Sequence, residues 1–175
     1  MRINQVTPII VLCGALFINT GFAQESRKVY DMAVNAARSG DKDAAFMYLT
    51  TLVSSYPDSA YAENALLGLT EYYFSINSYH DAAREVMQLI DKYPESQARP
   101  FALCYLLKIS RLTQQEDLTK KLEKEITTSK QFSFVFRDHK EYSYTSALGH
   151  KYRVVYYIDK VEFYIDGELF EKISY

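Results

Sequence analysis

The chain has no tryptophan, only two cysteines and three histidines, and no excess of either charge. Two cysteines rule out a disulfide framework, and loss of Cys13 with a leader would leave Cys104 as the single thiol. Cys104 lies between Leu103 and Leu106 on an expected helix, where a thiol reads as buried and inert. Twenty Lys and Arg against 22 Asp and Glu remove the electrostatic case for nucleic acid. The longest apolar run, Pro8 to Ile18, is about half of the roughly 20 residues that span a bilayer as a helix. There is no Gly-rich phosphate loop, nucleophile elbow or HExxH, so the expectation is a protein that is not an enzyme and uses no cofactor. His80 falls in a turn between helices. Asp138, His139, Glu141 and His150 are the only clustered ligand types, without the spacing of a metal site, so no metal is expected.

What is present is aromatic: 16 Tyr and 10 Phe among 175 residues, a composition for a packed core of one domain, or one domain with a small addition. The first 23 residues read as a signal peptide. Arg2 gives the positive start, Pro8–Ile18 the apolar run, and Gly21-Phe22-Ala23 the small residues before a cut after Ala23. An uncleaved anchor or a buried helix is the plainer alternative. Cys13 follows Leu12 inside the apolar run, whereas a lipid-modified cysteine follows a small residue at its end. The expectation is therefore a periplasmic or secreted protein that is not a lipoprotein.

The organising pattern is a repeat. Asp43-Ala44 through Tyr56-Pro57-Asp58-Ser59 matches Asp81 through Ser96 at an offset of 37 residues: Ala45 falls on Ala82, Leu49 on Val86, Leu52 on Leu89, Tyr56 on Tyr93 and Pro57 on Pro94. Helical spacing predicts a first helix over Ser26–Arg38, stopped at Ser39-Gly40, and a second carrying Ala45, Leu49, Leu52 and Val53, stopped before Pro57. A third runs from Tyr61 to about Ile76, and a fourth follows the Asn77–His80 turn with Asp81 as cap. A degenerate third pair comes next: Ala98–Leu112, apolar nearly all round, then Leu118, Leu122 and Ile126 on one narrow stripe among Lys and Glu, including solvated Glu123 and Glu125.

These residues resemble tetratricopeptide (TPR) repeats. Val29, Ala33, Gly40, Ala45, Leu49, Leu52 and Pro57 occupy the family's positions in the first pair, and Leu66, Thr70, Tyr73, Asn77, Tyr79, Ala82, Val86, Leu89 and Pro94 in the second. The linking phrase at residues 56–63 is similar to that of outer-membrane assembly lipoproteins and periplasmic cell-division coordinators. The resemblance implies repeats at 26–59, 63–96 and 100–128 within a 24–128 helical part. It also implies an envelope scaffold that binds another protein or a peptide in a concave groove lined by the first helix of each pair. That groove would present Tyr30, Val34, Asn64, Leu67, Glu71, Phe74, Cys104, Lys108 and Arg111. The competing expectation is that Leu67 and Phe74 pack against the β part, since a short solenoid with an added sheet can have its groove filled.

From residue 131 the period changes to two. Phe132, Phe134 and Phe136 alternate with polar neighbours, as do Tyr142 and Tyr144, and Tyr152–Ile158 and Val161–Ile165 read as strands. Asp166-Gly167 predicts a two-residue hairpin that sets Phe163 opposite Phe170 and Tyr164 opposite Leu169. The fold expected is α+β: a TPR-like solenoid of three helix pairs, then an antiparallel meander over 131–175, too small to stand alone. The tyrosine-rich sheet offers a second function, glycan or cell-wall binding on coplanar Tyr142, Tyr144 and Tyr157. Its last strand offers a third, as an edge for strand addition.

Overall fold

The computed structural model describes residues 9–128 and 139–174. Six helices precede one antiparallel sheet: α1 (Ile9–Arg38), α2 (Lys42–Ser55), α3 (Ala62–Ser75), α4 (Tyr79–Lys92), α5 (Arg99–Leu112), α6 (Glu116–Thr128), then β1 (His139–Thr145), β2 (Lys151–Tyr157), β3 (Lys160–Ile165) and β4 (Glu168–Ser174) in the order β1-β2-β3-β4. The expected strand at Phe132–Phe136 and the candidate ligand Asp138 lie outside the described residues, as do residues 1–8 of the expected leader. The helix expected to begin at Ser26 is longer: α1 runs unbroken from Ile9. Among the described residues no helix is long and apolar enough to cross a membrane.

The 37-residue period holds in the backbone even where the sequence loses it. Gly40, Asn77 and Gln114 all take positive φ, at 83°, 62° and 57°. At each, the next amide reaches five residues back, from Asp41 to the Ala36 carbonyl, from Ser78 to Tyr73 and from Gln115 to Ser110. These are three Schellman turns, which satisfy the carbonyls a helix end leaves open. In the third pair Ser110 and Thr119 stand where the second has Tyr73 and Ala82, and their hydroxyls bond each other at 2.8 Å. The fourth helix starts earlier than expected. Ser78 is its N-cap residue and donates its hydroxyl to Asp81 at 2.6 Å.

Neighbouring pairs meet through small and branched side chains. Ala45, Leu49, Leu52, Ala65, Val86 and Leu89 are all fully buried. Gly68 permits the closest approach, since a Cβ there would lie 2.7 Å from Leu49 Cδ1. Asp166 and Gly167, at φ 53° and 88°, form the expected hairpin turn with both residues left-handed. Tyr164 faces Leu169 as expected, but Phe163 faces Glu171, not Phe170. A β-bulge between Phe163 and Tyr164 slips the register by one residue. As a result Phe170 and Glu171, neighbours in sequence, both reach the helices, Phe170 at the Phe74 and Tyr105 rings and Glu171 at Arg111.

Candidate functional site

The positions expected to line an open groove meet the chain's own sheet instead. A carboxylate at Glu71 on the inward face of α3, one turn beyond Leu67, must find a buried partner or stay protonated. The partner is Tyr152 of β2, whose hydroxyl donates to Glu71 Oε1 at 2.6 Å, while Tyr105 of α5 stands 3.0 Å from the Tyr152 hydroxyl. Glu71 is 4% exposed and its Oε2 has no hydrogen-bond partner. Burial pushes Glu71 up to about 7, against the Tyr152 hydroxyl, the charge of His150 and the Ser146 hydroxyl. Burial also raises Tyr105 and Tyr152, so both stay protonated donors.

The other groove positions follow the same rule. Asn64 Oδ1 accepts from the Tyr144 hydroxyl. Phe74 packs against the Tyr79, Tyr105 and Phe170 rings at 5.2–5.7 Å. Lys108 Nζ lies 3.4 Å from Glu171 Oε2 and 5.6 Å above the Phe170 ring. Arg111 holds Glu171 on one side at 2.5 Å and Glu123 on the other at 2.6 Å. Leu67 and Cys104 are buried in the shared core, and burial holds the Cys104 thiol protonated. In the first pair Tyr30 stacks on Tyr61 at 4.7 Å and Val34 is half-buried. The loop after β1 brings Ala147 and Leu148 onto the first two pairs, in one cluster with Ala33 and Leu49 of the first and Ala65 of the second.

Leu67 and Glu71 lie buried beneath the sheet, 0% and 4% exposed, in line with the competing expectation of a groove filled by the β part. Two other expectations are corrected. Tyr142 and Tyr144 do not form an exposed platform; they stack on Phe101 at 5.9 and 6.1 Å, and Tyr157 lies under the Lys160 ammonium at 4.5 Å. Glu123 and Glu125 are not merely solvated, since each is ion-paired to α5, through Arg111 and Arg99. The last strand is likewise engaged: Lys108 and Arg111 donate to the Phe170 and Lys172 carbonyls, and the Lys172 amide donates to Glu171. Sequence reasoning missed Tyr105, Tyr152, Phe170 and Glu171 as the other half of the site. The available signal was Glu71 itself, a carboxylate on an apolar helical stripe.

His150 Nδ1 lies 2.6 Å from Asp166 Oδ2, which ties the β1–β2 loop to the hairpin turn. Among the described residues no three His, Cys, Asp or Glu side chains converge as a metal site would require. Two clefts lie on the linkers between pairs: one of about 470 Å³ at Ser55–Tyr61 below Phe22 and Ser26, and one of about 560 Å³ at Lys92–Gln97 beside Glu63 and Tyr144. No curated protein matches the chain. The profile of the outer membrane lipoprotein family YfiO matches residues 22–157, from the end of the expected leader through α6 to the close of β2. With three TPR-like helix pairs inside that span, the chain belongs to the YfiO family of outer membrane lipoproteins.

Proposed function

We propose that this protein is an exported, non-catalytic interaction module of the cell envelope that binds another envelope protein on surfaces its own sheet leaves open. The observation that carries this reading is the set of contacts from Asn64, Glu71, Phe74, Lys108 and Arg111 to β1, β2 and β4. Displacing the sheet would expose Tyr152, Val154, Val161, Phe163 and Ile173, each at most 3% exposed in the folded chain. At about 25 cal/mol per Å² of apolar surface, a partner would have to repay that whole loss before gaining affinity. Family membership supports the envelope and the interaction role. The sealed position of the Glu71–Tyr152–Tyr105 cluster supports a structural use of its chemistry over a catalytic one.

Processing after Ala23, without lipid on Cys13, belongs to the same proposal; it rests on Leu12 before Cys13 and the small residues before Gln24. The intact mass of the protein from an envelope fraction decides it. A chain starting at Gln24 supports the proposal, and one starting at a lipid-modified Cys13 overturns this part.

Site-specific photocrosslinking in the native envelope tests the interaction. Probes at Met47 and Met87, on open surface, should give crosslinks to another protein, and probes at Leu67 and Phe74 should give none. Crosslinks confined to Leu67 and Phe74 would mean that the sheet yields to a partner and would overturn the closed groove.

A further inference from the structure

We propose that Glu71 is a proton-controlled latch for one end of the sheet. With its carboxyl protonated, the β1–β2 loop (residues 146–150) and the hairpin turn at Asp166-Gly167 lie closed on the helices. With it ionised, that end lifts while β4 stays docked. The two ends of the sheet are fastened by different chemistry. At the β4 end Glu171 is held by cations, Lys108 at 3.4 Å and Arg111 at 2.5 Å, and Phe170 packs on the Phe74 ring. At the other end Glu71, 4% exposed, is met by hydroxyls.

Those hydroxyls suit an acid better than a carboxylate. Tyr152 spends its one proton on Glu71 Oε1, so the Tyr105 hydroxyl, 3.0 Å away, donates to Tyr152. Neither phenol has a proton left for Glu71 Oε2, which is buried without a hydrogen-bond partner. An ionised carboxyl therefore keeps a charged oxygen uncovered in the interface, whereas a protonated one buries no charge. The groups facing Glu71 are Tyr105 of α5, Tyr144 of β1, Ser146 and His150 of the β1–β2 loop, Tyr152 of β2 and Asp166 of the hairpin turn. Of these His150 alone can be a cation, and its ring is committed to Asp166 at 2.6 Å. Burial outweighs them all and holds the carboxyl up at about 7. The part that lifts is a unit. The Lys151 amide donates to Asp166 Oδ1 and the Asp166 amide to the Lys151 carbonyl, both at 2.8 Å, and the Ser146 amide closes the loop on the His150 carbonyl. Its apolar hold on the helices is small, Ala147 and Leu148 against Ala33, Leu49 and Ala65.

The test is thiol labelling of an Ala147→Cys variant with iodoacetamide. It is read at that site by peptide mass spectrometry and divided by the rate of a free cysteine peptide at the same pH. Ala147 is 6% exposed with the end closed. Corrected labelling should rise at least tenfold from pH 5 to pH 8. The ceiling is on the order of a hundredfold, for a carboxyl that falls from about 7 to 4.5 on opening. The rise should level off at the pH where the Glu71 carboxyl carbon titrates by NMR, a readout that needs no change at Glu71. Adding Glu71→Gln should hold labelling at its pH 5 level throughout, and adding His150→Gln should leave the rise in place. Cys104, buried beside Phe170, should stay unlabelled at both pH values. A flat profile, levelling at another pH, or a rise that survives Glu71→Gln or vanishes with His150→Gln overturns the latch. Labelling of Cys104 in step with the new thiol means that the whole sheet leaves, and overturns it too.

Discussion

Stacking of one helix pair on the next and docking of the sheet on the helices both bury apolar surface, but under different rules. Between pairs the fully buried contacts are Ala, Leu and Val at positions related by 37 residues, with rings such as Tyr30–Tyr61 and Phe46–Tyr72 stacked at their edges. Under the sheet they are unique: rings from Phe101, Tyr105, Tyr152 and Phe163, and two buried carboxylates, Glu71 and Glu171. A repeated apolar interface spreads its stabilisation over equivalent contacts, and the middle pair is held from both sides. A single interface with buried charge depends on every partner being present and on pH.

The largest expected effect comes from the ring at the centre of the sheet interface. Phe101 is 1% exposed and meets Tyr142, Tyr144, Tyr152 and Phe163. Phe101→Ala should cost about 3–5 kcal/mol in urea unfolding, from lost burial and the cavity left behind. Hydrogen exchange should accelerate across β1–β4 before it does in α2–α4. Equal acceleration in both would erase the distinction between the interfaces and make sheet and repeats one cooperative unit.

Glu71 sharpens the comparison through pH. Its carboxyl is held at about 7 in the folded chain against an ordinary 4.5, so between those values the folded chain keeps a proton the unfolded chain has released. This contribution to stability is fully present below about 4.5, falls as pH rises through the window, and is gone above about 7. The total is on the order of 3 kcal/mol, at about 1.4 kcal/mol per pH unit. Tyr152, Ser146 and His150 face Glu71 and oppose the rise, and Asp166 adds to it. Asp81, Glu162 and Asp166 are held low by their own partners and contribute with the opposite sign, so the readout is a difference. Glu71→Gln should be as stable as the parent at pH 4 and more stable at pH 8, by denaturant unfolding at both. A variant less stable at both would mean that the ionised carboxylate is worth more to the Tyr152 hydroxyl than it costs to bury.

The same contrast explains what could be read from the residues. Helix boundaries followed from local signals: Gly40 and Asn77 at the turns, Pro57 and Pro94 after the second helices, and Asp166-Gly167 at the hairpin. Each needs only its neighbours to act. That the small sheet must lean on other elements, and could fill the groove at Leu67 and Phe74, was legible; its partners were not, because no local pattern says that Tyr152 answers Glu71, 81 residues away. The projected groove positions Asn64, Glu71, Phe74, Lys108 and Arg111 all contact the sheet, but the residues they meet there were not predicted. The pattern fixes which way a helical side chain points, and it is silent on what a later segment puts there. The bulge that sends both Phe170 and Glu171 to the helices was hidden for the same reason. Two residues facing one layer contradict strict alternation, and only the ring pocket and the Arg111 fork make that favourable.

The smallest expected effect tests whether the third pair is a true repeat. Gly40, Asn77 and Gln114 occupy the same left-handed cap, with the same amides bonded to the same carbonyls, but their side chains suit it in descending order. Glycine bears no Cβ penalty there, Asn tolerates the conformation and Gln does not. If all three turns obey one geometry, Gln114→Gly should stabilise the chain by about 0.5–1 kcal/mol, Asn77→Gly by less, and Gly40→Ala should destabilise by about 1 kcal/mol. The gain at Gln114 is partly offset by the freedom glycine adds to the unfolded chain, so it is best read against the Asn77 variant, which carries the same offset. Thermal midpoints of the three variants decide it. A loss at Gln114 would mean that its side chain holds the turn by a contact the earlier pairs lack, and that the third pair keeps the repeat's shape by means of its own.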